Sequence, residues 1–469
     1  MSQNKDTSTP STTSSPSKMT TNQPDLVLEP AVPRFTQYGT NLTDGNLNSR
    51  VIFATDEFFA VADNLLKRED PEFDPNAYCS QGKVMDGWES RRRRKPGHDW
   101  CVIRLAYRGL IAGFEVDTAF FTGNFAPRIS IQAANIPNYL DDEHDEWMPG
   151  SFDRFERGGG IRGSKANDEL IAKAQAACDE YEWHTLVPMS KLRPGYQDTR
   201  IHYFALADAN LKRIPFTHIR VNYFPDGGVA RLKAYGSCSY NYQERVFAKL
   251  KPGERPPLME LSSMAKGGRG LACSNKHFGV PRNLLKPGRG IDMGDGWETA
   301  RHLDRPATIE INPETGLVDT ELGDWAILQL GNITECIEKL QIDTCHFKGN
   351  YPESIYVEAG CARNLNKPIN DESVDHDDVK FNDLTIEWFP LLLRTKLGPD
   401  KIYTFELEKG QLTEPLPENR PYISHIRVNI YPDGGISRVR AFGRPKRMVG
   451  ELNRVLSGMR ISKLAALGE

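Results

Sequence analysis

The sequence lacks several features that define large protein classes. It has no apolar run long enough to cross a bilayer, and its first thirty residues have no apolar core of a secretory signal. A P-loop, a dinucleotide fingerprint, a G-x-S-x-G elbow and an HExxH helix are all absent. We therefore expect a cytoplasmic protein with no membrane partner, outside the common nucleotide-binding, serine-hydrolase and zinc-protease classes.

An excess of charge of one sign is also missing. The chain has 59 Lys and Arg against 63 Asp and Glu, a net charge of −4. Nucleic-acid binding draws much of its affinity from phosphate neutralisation, so we expect no nucleic-acid partner. The 8 cysteines are scattered without a CxxC pair and are expected to be reduced thiols. No metal ligands are predicted, because no two histidines have ligand spacing, although a divalent metal bound across strands would leave no such signature.

What the sequence does contain is an internal repeat. Residues 217–236 read THIRVNYFPDGGVARLKAYG, and residues 424–443 read SHIRVNIYPDGGISRVRAFG. Of these 20 positions 12 are identical, at a constant offset of 207. A repeat of this length indicates a duplicated domain.

Further blocks recur in the same order, among them DGWES at 86–90 and DGWET at 295–299. Because the offsets differ only through loop length, we predict a tandem duplication. The first thirty residues are rich in Ser, Thr and Pro, a composition typical of disorder. The predicted segments are a disordered tail (1–35), a first repeat (36–247), a linker (248–261), a second repeat (262–445) and a C-terminal helical tail (446–469).

Within each copy the pattern is that of strands. In Thr217–Phe224 polar and apolar residues alternate, which predicts a strand with one polar and one apolar face. The following Pro225-Asp226-Gly227-Gly228 predicts a tight hairpin to a return strand. A helix is predicted around Asp168–Cys178. Many short strands with Gly/Pro turns favour an all-β fold, which we expect to be a tandem of jelly-roll β-sandwiches (galactose-binding-like) with few short helices.

The first candidate site is the block Asp-Gly-Trp-Glu-Ser/Thr-x-Arg. It places Asp86, Glu89 and Arg92 together and recurs as Asp295, Glu298 and Arg301. A carboxyl pair beside an arginine suits recognition and proton transfer on a small carboxylate. The alternative is structural, with the Trp buried and the Asp and Arg in an internal ion pair.

The second candidate is the polar face of the repeated strand, formed by His218, Arg220 and Asn222. The same three side chains recur at 425, 427 and 429. This face could bind substrate, or it could be a solvated or interdomain surface shared by both copies. The pattern leaves both possibilities open.

Residues found in one copy alone favour the first repeat as the active one. A basic run, Arg91–Lys95, leads there into His98 and Asp99. In the second copy no histidine stands beside the matching Asp324. Since sites commonly lie in loops on a shared scaffold, we expect chemistry near Glu89 and His98.

At these residues the chain resembles the allantoicase family over nearly its whole ordered length. The resemblance rests on FATDEFF (53–59), MDGWESRR (85–92), PGHDWC (96–101), VDT (116–118), FTGN (121–124) and both HIRVN…PDGG segments. It implies two jelly-roll repeats and a hydrolase of purine catabolism that converts allantoate and water to ureidoglycolate and urea.

Allantoate carries a carboxylate and two ureido groups on one carbon, and its chemistry suggests roles for the candidate residues. We assign the carboxylate to Arg92, acid/base chemistry to Glu89, and proton transfer to His98 and Asp99. Asn124 and Asn222 would hydrogen-bond the ureido groups, and Asp86, His218 and Arg220 complete the predicted substrate-binding set. No cofactor is required by this scheme, and a divalent metal remains possible.

Two other functions fit the same sequence. One is a non-catalytic tandem jelly-roll protein that binds a ligand, and the other is a hydrolase of a related ureido compound. Homo-oligomerisation is expected because most soluble oligomers are homomeric.

Overall fold

Strands dominate the architecture, in a computed structural model that describes residues 32–33, 35–36, 39–136, 147–206, 208–362, 386–413 and 422–447. The strands of the first repeat are β1 Thr40–Asn41, β2 Arg50–Ala54, β3 Asp56–Glu57, β4 Tyr78–Cys79, β5 Gly82–Lys83, β6 Trp88–Glu89, β7 Asp99–Asp117, β8 Arg128–Ala134, β9 Ser164–Lys165, β10 His184–Lys191, β11 Ile201–Ala205, β12 Pro215–Phe224, β13 Gly228–Val229 and β14 Arg231–Cys238. Those of the second are β15 Met259–Glu260, β16 Arg269–Cys273, β17 Trp297–Glu298, β18 Asp324–Thr334, β19 Lys339–Asp343, β20 Ser354–Ala362, β21 Ile386–Lys396, β22 Ile402–Glu406, β23 Ile423–Tyr431, β24 Gly435–Ile436 and β25 Arg438–Gly443.

In the described ranges helices are few and short. The α-helices are α1 Ser151–Glu156, α2 Asp168–Asp179 and α3 Tyr242–Arg245. The 3-10 helices are Gly45–Leu47, Ala62–Leu66, Leu211–Arg213, Phe247–Lys249, Met264–Lys266, Pro281–Leu285, Met293–Asp295 and Leu407–Lys409.

Each repeat is a sandwich of a larger and a smaller antiparallel layer. In the second repeat the two sheets are separate, with strand orders β16-β18-β23-β20-β21 and β15-β25-β19-β22. In the first repeat β2, β12, β8 and β10 form the larger layer with the first part of β7, and β1, β14 and β11 form the smaller layer with its last part.

The long strand β7 belongs to both layers of the first repeat. Its first part pairs with β12 through Ile103 and Cys101, and its last part pairs with β14 and β11 through Val116 and Glu115. In the second repeat the same path is divided into β18 and β19. The first sandwich therefore has a continuous strand running from one layer into the other.

The alternation predicted for Thr217–Phe224 is confirmed by β12. Ile219, Val221 and Tyr223 are buried in the core between the two layers of the first repeat. The polar residues between them point to the outer side of the larger sheet, because successive strand residues face opposite sides. Helix α2 covers that outer side, where its Ala174 and Cys178 pack with residues of β2 and β7.

Helix α2 agrees with the predicted helix at Asp168–Cys178. Asn167 caps it by accepting a hydrogen bond from the Leu170 amide (2.7 Å), and Asp168 and Glu169 add acidic residues to the first turn. Both features stabilise a helix N-terminus, where free amides and a partial positive charge gather.

The tight hairpin predicted at Pro225–Gly228 is wrong. Strand β12 pairs with β7 and β8, whereas β14 pairs with β7 and β1, so the two strands lie in different layers. Between them β13 pairs with β6, which carries the chain across the edge of the sandwich. Gly227 has a φ of 126°, so a residue without Cβ is required at this crossing.

The predicted fold class, a tandem of all-β jelly-roll sandwiches with few short helices, is confirmed. The domain bounds stay predictions, and Tyr242, Val246 and Phe247, assigned to the first repeat, pack into the core of the second. The predicted disordered tail, apart from residues 32–33 and 35, and the C-terminal helix after Arg447 lie outside the described residues. No helix in the described part of the chain is long and apolar enough to cross a membrane.

Candidate active site

Glu89 is positioned by the tryptophan that precedes it. Trp88 is 0% exposed, packs on Tyr223 in the core, and donates from Nε1 to the carbonyl of Asp56 (2.8 Å). Strand β6 is further fixed by its pairing with β13. Because the Trp88 side chain enters the core, the next side chain, Glu89, is directed to the other side of the strand.

Glu89 is 8% exposed, and no cationic side chain of the described residues forms an ion pair with its carboxylate. Asn124 donates from Nδ2 to Glu89 Oε1 (2.7 Å). Burial raises the pKa of Glu89 to about 7, against the opposing influence of the Asn124 hydrogen bond and the nearby Arg162 charge. A carboxyl group that titrates near neutral pH can give and take a proton under physiological conditions.

Arg162 comes from a glycine-rich loop, residues 157–163, that the sequence reasoning missed. It is half-buried and donates from Nη1 to Cys79 Sγ (3.3 Å), a hydrogen bond that lowers the pKa of the Cys79 thiol. Among the described residues no carboxylate forms an ion pair with Arg162, so its guanidinium can bind an incoming carboxylate in bidentate geometry. The run Gly158-Gly159-Gly160 precedes it and has no counterpart in the second copy of the sequence. A glycine run present in one copy alone could have marked this loop as a candidate site.

A buried ion-pair cluster holds this loop in place. Arg154 donates to both carboxylate oxygens of Glu57, one at 2.8 Å, and also contacts Asp63. The amide of Gly160 donates to Asp63 Oδ2 (2.8 Å). A Cβ at Gly160 would lie 2.3 Å from Glu57 Oε1, so glycine permits the close approach.

The second repeat retains half of this arrangement. Asn350 donates to Glu298 just as Asn124 donates to Glu89. Glu298 is half-buried rather than buried, and Asn350 also contacts Met293 Sδ (3.6 Å). Among the described residues of the second repeat, no arginine takes the place of Arg162 beside Glu298.

His98, Arg220 and Asn222 form a separate cluster on the outer face of the larger sheet. Asn222 Oδ1 contacts His98 Nε2 (3.1 Å) and accepts from Arg220 Nε (3.1 Å). Burial lowers the pKa of His98, and the Arg220 and Arg93 charges lower it further. Within the described ranges none of these three side chains hydrogen-bonds to Glu89.

Asp99 points to a different environment from its neighbour His98. Its Oδ1 accepts hydrogen bonds from Thr55 Oγ1 (3.0 Å) and Arg93 Nη1 (2.7 Å). Burial raises the pKa of Asp99, although Arg93 opposes this effect. Asp99 thus binds the arginine-rich segment through the Arg93 side chain. The backbone amide of Arg93 donates to Asp226 Oδ2 (2.8 Å) and fixes the same segment.

Asp86 lies in an internal ion pair, but its partner is not the predicted arginine. Its Oδ2 accepts from Arg231 Nη2 (2.5 Å), and its Oδ1 from Lys67 (2.7 Å). Burial alone would raise the pKa of Asp86, but the hydrogen bonds from Arg231 and Lys67 bring it below its ordinary value. Arg92 is exposed and has no hydrogen bond or ion pair within the described ranges.

The second repeat contains the same internal ion pair. Asp295 accepts from Arg438 Nη2 (2.6 Å) and from Lys286 Nζ (2.6 Å). Its presence in both copies indicates a shared structural element.

His218 is a buried neutral histidine in both copies of the repeat. It is 0% exposed, and burial, with the Arg104 charge, lowers its pKa to about 3. Its Nδ1 contacts Thr217 Oγ1 (2.9 Å), and its ring meets the Trp147 ring edge-on. His425 repeats this with Ser424, and burial lowers its pKa to about 4.

The described residues contain no group of three or more His, Cys, Asp or Glu side chains that could hold a metal ion. All eight cysteines are free thiols.

Comparison with known proteins identifies the family. The family model for the allantoicase repeat matches residues 40–239 and again 259–446. The chain belongs to the allantoicase family.

The chain matches relatives in that family over almost their whole length. It is 35% identical over 415 residues to probable allantoicase 1 of Burkholderia mallei, covering 88% of this chain and 97% of the relative. It is 35% identical over 409 residues to probable allantoicase of Photobacterium profundum, covering 87% and 97%. The crystal structure of allantoicase from Saccharomyces cerevisiae matches with a TM-score of 0.55 at 28% identity, covering 87% of this chain and 94% of that one.

Proposed function

We propose that this allantoicase-family chain hydrolyses allantoate to ureidoglycolate and urea, at a site in the first repeat formed by Glu89, Asn124 and Arg162. The assignment rests on the buried carboxyl group of Glu89, whose pKa is raised to about 7, beside an arginine that forms no ion pair within the described ranges. A proton donor at neutral pH and a carboxylate anchor are the two groups that this anionic substrate requires.

In this site Arg162 takes the carboxylate-binding role that the sequence suggested for Arg92. Arg162 is within electrostatic range of Glu89, whereas Arg92 is exposed and has no contact with the cluster among the described residues. Fixing the carboxylate holds the central carbon and its ureido groups near Glu89, which makes the reaction effectively unimolecular. Asn124 orients the Glu89 carboxyl group and can bind a ureido oxygen through its second N–H.

The chemistry proceeds in two steps that return Glu89 to its starting state. Protonated Glu89 gives its proton to the departing ureido nitrogen, and the C–N bond breaks to release urea. The lone pair of the remaining ureido nitrogen forms a C=N bond to the central carbon. Water then adds to that carbon, a C–O bond forms, and Glu89 takes the proton that the water loses, which yields ureidoglycolate.

The test is release of urea and ureidoglycolate from allantoate by the purified protein, with and without prior chelation. Turnover in both arms supports the reaction and this acid–base scheme. Activity lost on chelation and restored by a divalent ion would keep the reaction but overturn the scheme. If folded protein turns over no allantoate but hydrolyses ureidoglycolate, a related ureido substrate is indicated. Inactivity on both would favour the ligand-binding alternative.

The predicted homo-oligomer and cytoplasmic location remain predictions. Light scattering of the purified protein would test the first, and cell fractionation the second.

A further inference from the structure

Arg220 is a buried arginine whose contacts with the described residues are all to neutral groups. It is 9% exposed and lies over the Trp100 ring, 3.9 Å from the ring centre. Its Nη2 donates to Gln175 Oε1 (2.9 Å) on α2, and its Nε to Asn222 Oδ1. Within the described part of the chain, no carboxylate forms an ion pair with it.

In the second repeat the arginine at the same position pairs with a carboxylate of the protein itself. Arg427 donates to both carboxylate oxygens of Glu358, one at 2.7 Å, and Asn429 also binds that carboxylate (3.1 Å). Arg427 lies near the Trp388 ring as Arg220 lies over Trp100.

The register of the strands explains the difference between the copies. Glu358 stands directly opposite Arg427 in the β20–β23 ladder. Gln132 stands directly opposite Arg220 in the β8–β12 ladder. The first repeat therefore keeps the arginine and has a neutral amide where the second has its counter-ion.

A buried guanidinium without a counter-ion is an unusual arrangement. Burying a charge is costly unless it is paired, and arginine pairs best with a carboxylate through two parallel hydrogen bonds. Burial lowers the pKa of Arg220, while Asp179, at the end of α2, raises it through space. A bound anion would give Arg220 the carboxylate partner that Glu358 gives Arg427 in the second repeat.

The polar groups around Arg220 indicate which functional groups the anion would have besides its carboxylate. Gln132 and Ser130 are half-buried and accept hydrogen bonds from Asn222 Nδ2 (3.3 and 3.2 Å), and Gln175 and His98 are also half-buried. Amide side chains present paired N–H and C=O groups, which match those of a primary amide or urea. These four residues are partly exposed, whereas Arg220 itself is buried.

We propose that Arg220, Gln132, Gln175, Asn222 and His98 form a pocket in the first repeat that binds a small carboxylate bearing a carbamoyl or ureido group. The pocket is distinct from the site around Glu89 and does not rest on that assignment. In the second repeat Glu358 takes the position of Gln132 and pairs with Arg427, so no external carboxylate can bind there.

Titration calorimetry with N-carbamoylglycine, a small carboxylate with one ureido group, tests this. The starting protein is the variant Glu89→Gln/Arg162→Ala, in which the proposed catalytic anchors are removed. We expect it to bind the probe, and we expect addition of Gln132→Glu to weaken that binding at least tenfold, because the new carboxylate would pair with Arg220. Circular dichroism of each variant establishes that it is folded.

The reverse substitution supplies an independent control in the other copy. Glu358→Gln removes the counter-ion of Arg427 and is expected to add a second binding site to the same starting protein. Absence of probe binding in the starting protein, or equal binding after Gln132→Glu, would overturn the pocket. Binding by wild type that disappears in Glu89→Gln/Arg162→Ala would place the probe at Glu89, which contradicts the pocket but leaves the proposed function intact.

Discussion

Asn124 donates a 2.7 Å hydrogen bond to Glu89, joining the loop after β7 to the short strand β6. The matching pair in the second repeat, Asn350 and Glu298, has the same donor and acceptor in a more open setting. The two pairs differ in what surrounds them, since the glycine-rich loop places Arg162 near Glu89. Because the two repeats contain equivalent pairs, a substitution at Glu298 is a matched control for the same substitution at Glu89.

Glu89→Gln keeps the shape of the side chain and removes the transferable proton. Loss of a positioned acid or base lowers turnover by roughly 10²–10⁴-fold, so we expect kcat for allantoate to fall within that range. Glu298→Gln should change kcat by less than about threefold on the same scale. Equal losses in the two variants would contradict a catalytic site confined to the first repeat.

The raised pKa of Glu89 also makes a prediction about stability. The carboxyl pKa is about 7 in the folded protein against an ordinary value of 4.5, so the folded state binds more protons between these values. Its contribution is therefore most favourable below pH 4.5 and is lost as the pH rises to 7. The loss is about 3 kcal/mol at most, from the linkage of one pKa unit to about 1.4 kcal/mol.

Urea unfolding of wild type and Glu89→Gln at pH 5 and pH 8 measures this contribution. The variant lacks the titrating group, so its stability relative to wild type should increase from pH 5 to pH 8. A difference that is the same at both pH values would mean that Glu89 titrates at its ordinary pKa.

Arg154 is expected to stabilise both the fold and the loop that carries Arg162. Arg154→Ala leaves Glu57 buried without its counter-ion, and breaking such a pair costs about 3–5 kcal/mol. Hydrogen exchange should rise across residues 157–163, and the KM for allantoate should increase. The matched control is Arg157→Ala, since Arg157 is exposed and its side chain has no partner among the described residues. Comparable exchange in the two variants would argue against this role.

Asp86 distinguishes a structural from a substrate-binding interpretation of the repeated block. Asp86→Ala and Asp295→Ala each leave a buried arginine, Arg231 or Arg438, without its carboxylate, so both should lower the unfolding free energy by about 3–5 kcal/mol. We expect neither to change the KM of the folded protein. A rise in KM in Asp86→Ala alone would instead support the predicted contact with substrate.

Local sequence patterns predicted those features that depend on neighbouring residues. The alternation in β12, the helix α2 and the duplication follow from periods of two and 3.6 residues and from direct repetition. The turn residues at Pro225–Gly228 indicated a reversal of the chain, but whether the next strand pairs in the same layer depends on β7, which lies far earlier in the chain. For that reason the hairpin was predicted wrongly.

The partners of charged side chains could not be read from spacing. Asp86 pairs with Arg231, 145 positions away, and not with Arg92, because the fold brings β14 against the block. Arg162 approaches Glu89 from an insertion present in one copy. Gln132 and Glu358 could have been matched from the sequence only if the strand register had been known.

The continuous strand β7 imposes a constraint that the divided path in the second repeat does not. Side chains alternate with a period of two, so a slip by one residue in either layer would turn the core-facing residues of β7 in that layer outward. The pairing register of β7 shifts where the strand passes from one layer to the other, opposite Phe216–His218 and again opposite Tyr235–Gly236. Extra β7 residues at these shifts let the strand bend from one layer into the other without ending, whereas the second repeat makes the same passage by leaving β18 and starting β19.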